Sequence, residues 1–222
     1  MKNRETVLAR IGSALGRPGD GRRLTLDDQP EDVTERLQHK HRHTLPQVSG
    51  DLIAELVNSM EAVLMSVVRL QSMEDCVAAV DWYLESKGID ATTAGSVTVS
   101  PALSDLAWPA GYSAGAATGT EKVSVTPCIA AVAETGSVVT SSGEKTPATL
   151  NFLPETHIII VRESQVVRHV DDVFPLVRSL QPMPRAVNFV TGPSRTADIE
   201  QTLEIGAHGP RHMHVLLLPD QH

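Results

Sequence analysis

The stretch VNFVTGPSRTADIEQTLEIGAHGPRHMHVLLL, Val187–Leu218, decides the reading of the fold. An apolar run, Ala186–Val190, leads into it, and a second, Met213–Leu218, closes it. Both have strand length, and the polar segment between them has room for a helix over Arg195–Glu204. Strand, glycine turn, helix, glycine loop and strand make the repeating unit of an α/β sheet. Strands that are apolar at nearly every position suit a parallel sheet covered on both faces. The strand ending at Val190 is therefore expected among the inner, largely parallel strands.

The alternation continues upstream. His157–Val161 is an apolar strand, Gln165–Arg168 a short one, and Asp171–Leu180 a helix. Val123–Thr126 and Gly136–Thr140 read as strands, Ile129–Ala133 as a short apolar segment, and Pro147–Leu153 as a short helix or turn. Asp51–Met65 reads as a helix with Asp51 as N-cap and Leu52, Leu56, Met60 and Val63 inward. Val67–Leu70 and Val97–Val99 are strand-sized. Between them Met73–Ser86 is a helix that opens on a Ser72/Asp75 cap and stops at Gly88. The Pro-, Gly- and Ala-rich residues 101–122 read mostly as loop. The expected fold is α/β, an open and largely parallel sheet with helices on both faces.

Residues 50–222 form that domain. Residues 1–49 read as an N-terminal helix, with Val7, Leu8, Ile11, Ala14 and Leu15 on one stripe over Asn3–Leu15, followed by a mobile or extended polar linker at 16–34. The helix either folds back on the body or docks on another subunit. Residues 1–50 carry nine Lys and Arg against seven Asp and Glu, whereas residues 51–222 carry ten against twenty. An acidic body does not suit broad nucleic-acid binding, which runs on phosphate neutralisation. No apolar run approaches the roughly 20 residues that span a bilayer. The N-terminus lacks the apolar core of a secretory signal, so a cytoplasmic protein with no membrane span is expected. The two cysteines, Cys76 and Cys128, show no CxxC spacing and fit a reducing compartment.

Chemistry is most concentrated in Thr191–Thr196, TGPSRT. An apolar strand ends there and the expected helix begins, so free N–H groups and the dipole would favour an anion. Gly192, Ser194, Arg195, Thr196 and Asp198 are the candidate anion-binding residues, with Arg195 as a forked donor for carboxylate or phosphate. The plainer alternative is a capped helix whose acids, Asp198 and Glu200, complement the dipole. His208 and Arg211, in the glycine-bounded loop 206–211, could add a titrating group and a second clamp. Glu134, just before Thr135-Gly136-Ser137, is a candidate catalytic base or nucleophile, or a carboxylate that pairs with Arg195 or Arg211. His157 reads as structural. His39, His41 and His43, and the pair His212/His214, have helix or strand spacing but lack ligand partners nearby, so no metal site is expected.

Four segments together, AETGSVV (133–139), LPETHI (153–158), TGPSRTADIE (191–200) and GAHGPRHMHVLLL (206–218), resemble the lactate-utilisation (LUD) family, closest to its C-type branch. The resemblance covers about Val123–Pro219 sharply and the first 120 residues only in plan. It implies a fold like the ribose-phosphate isomerase, glucosamine-phosphate deaminase and CoA-transferase group. It also implies an accessory or substrate-binding subunit in the oxidation of L-lactate to pyruvate. That subunit would carry no cofactor of its own, and the iron–sulfur clusters would sit in partner proteins. Two other readings stay open: an independent isomerase or transferase acting on a sugar phosphate or acyl-CoA, and a pure interaction subunit.

Overall fold

A computed structural model describes residues 6, 7, 10, 45, 46, 50–90, 93, 95–197 and 203–220. The chain divides into two units, Met1–Leu45 and Pro46–His222. In the first, Thr6, Val7 and Arg10 are helical. The rest of the expected N-terminal helix, the linker at 16–34 and the His39/His41/His43 group lie outside the described residues, as do Asp198 and Glu200.

The second unit is built on a six-stranded sheet. Its strands are β1 (Ser66–Arg69), β2 (Val97–Val99), β3 (Ser113–Ala114), β4 (Val123–Pro127), β7 (Thr156–Arg162) and β12 (His212–Leu218). They lie in the order β1-β12-β7-β4-β2-β3, and every neighbouring pair is parallel. A second sheet, β8-β5-β6-β9, is formed by β5 (Ala130–Val132), β6 (Ser137–Ser141), β8 (Val166–Val167) and β9 (Val187–Val190).

The apolar strands alternate their side chains between two cores. Ile159, Val161, Met213, Val215 and Leu217 face helix α1 (Leu52–Ala62) and the second sheet. Ile158, Ile160, Leu216 and Leu218 face helix α2 (Asp75–Ser86). Leu216 is wholly buried, and its burial stabilises the fold by about 1.5–3 kcal/mol. A third cluster seats Val173 of helix α3 (Val170–Ser179) on Ala130, Val132 and Val139. Helices therefore cover both faces of the parallel sheet.

Local chemistry sets the helix ends. Asp51 accepts from the Ile53 amide at 2.9 Å and starts α1. Asp75 accepts from the Ser72 amide and hydroxyl at 2.9 and 3.0 Å before α2. The end of α1 has the bond pattern of a Schellman turn, with Met65 N–H on Met60 O and Leu64 N–H on Glu61 O. The residue at the left-handed position, φ 67°, is Leu64 where glycine is usual.

Two expectations fail. The strand ending at Val190 is not an inner parallel strand: β9 is the edge of the second sheet and pairs antiparallel with β6. Its apolar run is only four residues, with Asn188 inside it and Phe189 exposed, so it lacks the two buried faces of β7 or β12. The helix expected over 195–204 is replaced by an antiparallel pair, β10 (Arg195–Ala197) with β11 (Leu203–Ile205). Gly206 N–H on Ser194 O at 2.8 Å closes that pair. A ten-residue helix is marginal by itself, and pairing outweighed its propensity.

Candidate functional site

The loss of the helix removes the dipole from the TGPSRT segment, and each of its residues takes another role. Thr191 hydrogen-bonds Ser137 at 2.7 Å, and Ser137 bonds Thr135 at 2.7 Å, so hydroxyls tie the two glycine loops together. Gly192 has φ 82° and presses on the turn after α1, where a Cβ would stand 2.2 Å from the Val63 carbonyl oxygen. Arg195 donates from Nη2 to that same oxygen at 3.1 Å. Ser194 N–H bonds Pro210 O at 2.9 Å, which joins this segment to the 206–211 loop. Thr196 lies within β10.

The two loops thus meet, at the amino ends of β1 and β12 and not at the carboxyl edge of the parallel sheet. There they help to line a cleft of 710 Å³. Pro193, Ala207 and Arg211 come from the loops, Ile205 from the end of β11, Leu64 from the turn after α1 and Ser66 from the start of β1. Tyr83 and Lys87 come from the end of α2, and His212 and Met213 from β12. Arg211 approaches Glu155 at 3.7 Å, but both side chains are more than half exposed, so solvent screens the pair and leaves it weak. His208 is exposed and does not line the cleft.

Behind the Ser66 hydroxyl lies His214, 3% exposed, with Nδ1 at 2.8 Å from Ser66 Oγ. Its ring stacks on Tyr83, centroids 4.0 Å apart and planes 9° from parallel. Lys87 Nζ stands 5.8 Å from the Tyr83 ring centroid. Burial, with Lys87 adding to it and a hydrogen bond to the Ser66 backbone opposing it, brings the His214 imidazole down to about 4. Burial also raises the Tyr83 phenol above its ordinary range, against a pull from Ser66. A neutral histidine, one hydroxyl and two cations can hold an anion.

Glu134 is elsewhere. Its Oε2 accepts from the Val170 amide at 3.3 Å and faces His169 Nδ1 at 3.2 Å, so it sits at the start of α3. It pairs with neither Arg195 nor Arg211 in any of the contacts described. His157 is buried, bonded to Thr126 at 2.7 Å. Sequence reasoning missed Ser66, Tyr83, Lys87 and His169. The two-residue spacing in HMH did place His212 and His214 on one side of β12, but nothing local puts Ser66 beside them. No group of three or more potential metal ligands occurs among the described residues.

A model of the LUD domain matches residues 53–218. The chain belongs to the LUD-domain family. This LUD domain is 36% identical to Lactate utilization protein C of Geobacillus thermodenitrificans (strain NG80-2) over 94 residues, 40% of this chain and 39% of that protein. The corresponding protein of Bacillus subtilis (strain 168) is 34% identical over 94 residues, with the same shares. The match thus spans about 40% of the length of those relatives. Uncharacterized protein YkgG of Escherichia coli (strain K12) is 28% identical over 241 residues, covering 99% of this chain and 100% of that protein. Among solved structures, a DUF162 family protein from Deinococcus radiodurans superposes with a TM-score of 0.56 at 19% identity. That match covers 78% of this LUD domain chain and 99% of the other, and it is a likeness of fold.

Proposed function

We propose that this chain is the carboxylate-binding, cluster-free subunit of a system that oxidises L-lactate to pyruvate. The observation that carries the reading is the 710 Å³ cleft, in which both glycine-rich loops meet and Arg211 and Lys87 share one lining. Family membership supports it, as do the relatives called Lactate utilization protein C. Two electrons must leave lactate. An iron–sulfur cluster draws on about four thiolates. This sequence has two cysteines, both free and buried, and they belong to different cores. The electrons therefore pass to clusters in partner proteins, and this chain's part is to hold the acid. An isomerase or transferase that uses Glu134 is less well supported, because that carboxylate caps α3 outside the cleft.

Calorimetry of the purified chain with L-lactate and pyruvate tests the reading. Arg211→Ala should weaken binding by about 1.5–3 kcal/mol, the worth of one charge-assisted bond. Arg195→Ala should leave affinity within a factor of a few, because its guanidinium serves the Val63 carbonyl. A wild-type chain that binds neither acid, or an Arg211→Ala variant that binds both unchanged, would overturn it.

A further inference from the structure

Resting on that reading, we infer that the cleft takes 2-hydroxy and 2-oxo acids with an apolar tail longer than the methyl of lactate, the carboxylate end meeting Ser66, Lys87 and Arg211 and the tail lying on Leu64 and Ile205.

Size is the first reason. Lactate has six heavy atoms and fills roughly 180 Å³ if each takes a water's share of about 30 Å³. The cleft measures 710 Å³, about four times as much, and falls within the usual range for larger ligands.

The second reason is Leu64. It occupies the left-handed position of the turn that ends α1, where glycine is free and a side chain is strained. Its side chain is 58% exposed, so the strain is not offset by burial in the core. Ile205, the last residue of β11, is 37% exposed and lines the same cleft. Strain retained at a cleft wall, together with uncovered apolar surface, fits a ligand that covers it.

The head group is read from Ser66. His214 is buried and its Nε2 has no hydrogen-bond partner. A proton on Nε2 would be an orphan donor, whereas a proton on Nδ1 is accepted by Ser66 Oγ at 2.8 Å. The tautomer with Nδ1–H avoids the penalty. That choice leaves the Ser66 hydroxyl as a donor at the cleft wall, shared between a distant Met213 O at 3.4 Å and the Tyr83 phenol oxygen. A ligand oxygen in the cleft can take that donor in their place. The same tautomer denies Ser66 a base, so it acts as a binding group and not as a nucleophile.

The test is calorimetry with L-lactate, L-2-hydroxyhexanoate and L-3-phenyllactate on the full chain. Affinity should rise along the series, up to about fourfold for each methylene buried. Ser66→Ala should weaken all three acids by about 2- to 13-fold and leave the rise intact. Leu64→Gly, which relieves the turn, should flatten the rise while lactate still binds, and Ile205→Ala should flatten it in part. Lactate bound with no gain for the longer acids, or their exclusion, would overturn the inference and leave the proposed function standing. No binding of any acid would overturn both. A rise that survives both Leu64→Gly and Ile205→Ala would also overturn it, because the tail would then lie elsewhere.

Discussion

Gly192 and Arg195 converge on one carbonyl group, that of Val63. One approaches because it has no side chain, the other because its side chain is a fork of donors. Gly192 sets the turn that presents Leu64 and Ser66, and the exposed Arg195 bond adds little to it. Gly192→Ala would put a Cβ 2.2 Å from that oxygen and would force a methyl onto φ 82°. We expect a loss of about 2–4 kcal/mol, read from the urea midpoint, together with weaker uptake of acids in the cleft. A midpoint equal to the wild type would show that the turn yields freely. The sequence marked this segment as eventful but misassigned its parts. A glycine that serves a backbone 129 positions away looks, locally, like one that serves a phosphate.

Among the elements, α3 shows how a motif can be structural. Gly136 of the AETGS segment has φ 64°, and a Cβ there would lie 2.5 Å from the Ser59 carbonyl, so the glycine seats the second sheet on α1. Glu134, two residues earlier, caps α3. Glu134→Ala should therefore lower stability by about 1–2 kcal/mol in denaturant melts and leave ligand affinity at the cleft unchanged. A large loss of affinity with stability intact would instead return Glu134 to the chemistry. Elements with their own signals were legible: α1 through Asp51, α2 through the Ser72/Asp75 cap, β7 and β12 through unbroken apolar runs. β9 and the β10–β11 pair were not. The state of β9 is decided by a partner far off in sequence, Ser137–Ser141, whereas the β10–β11 pair is a local closure, Ser194 to Gly206, in a segment whose pattern reads as a helix.

For the molecule as a whole, two buried imidazoles tie stability to pH. Burial holds His157 down to about 3 and, with Lys87 adding and Ser66 opposing, His214 to about 4, against 6.5 when exposed. Below pH 6.5 the unfolded chain takes up protons that the folded chain refuses, so stability is complete above that value and is lost as pH falls toward 4 and then 3. Between pH 7 and pH 5 the two groups should together cost on the order of 3 kcal/mol, visible as a lower urea midpoint. His214→Phe should remove about half of the pH slope, and an unchanged slope would show that the ring is solvated. The amphipathic cleft and the parallel sheet agree with the α/β plan read at the start, but the cleft's position at the amino ends of the strands was set by topology alone. That topology also places β12 between β1 and β7, although about 140 residues of chain separate β1 from it. At about 5–20 residues per second a ribosome takes roughly 7–30 s to deliver β12 after β1. During that interval β1 has no strand beside it and the edge of β7 that will receive β12 stays unpaired, so the sheet acquires its β1 end only when β12 arrives.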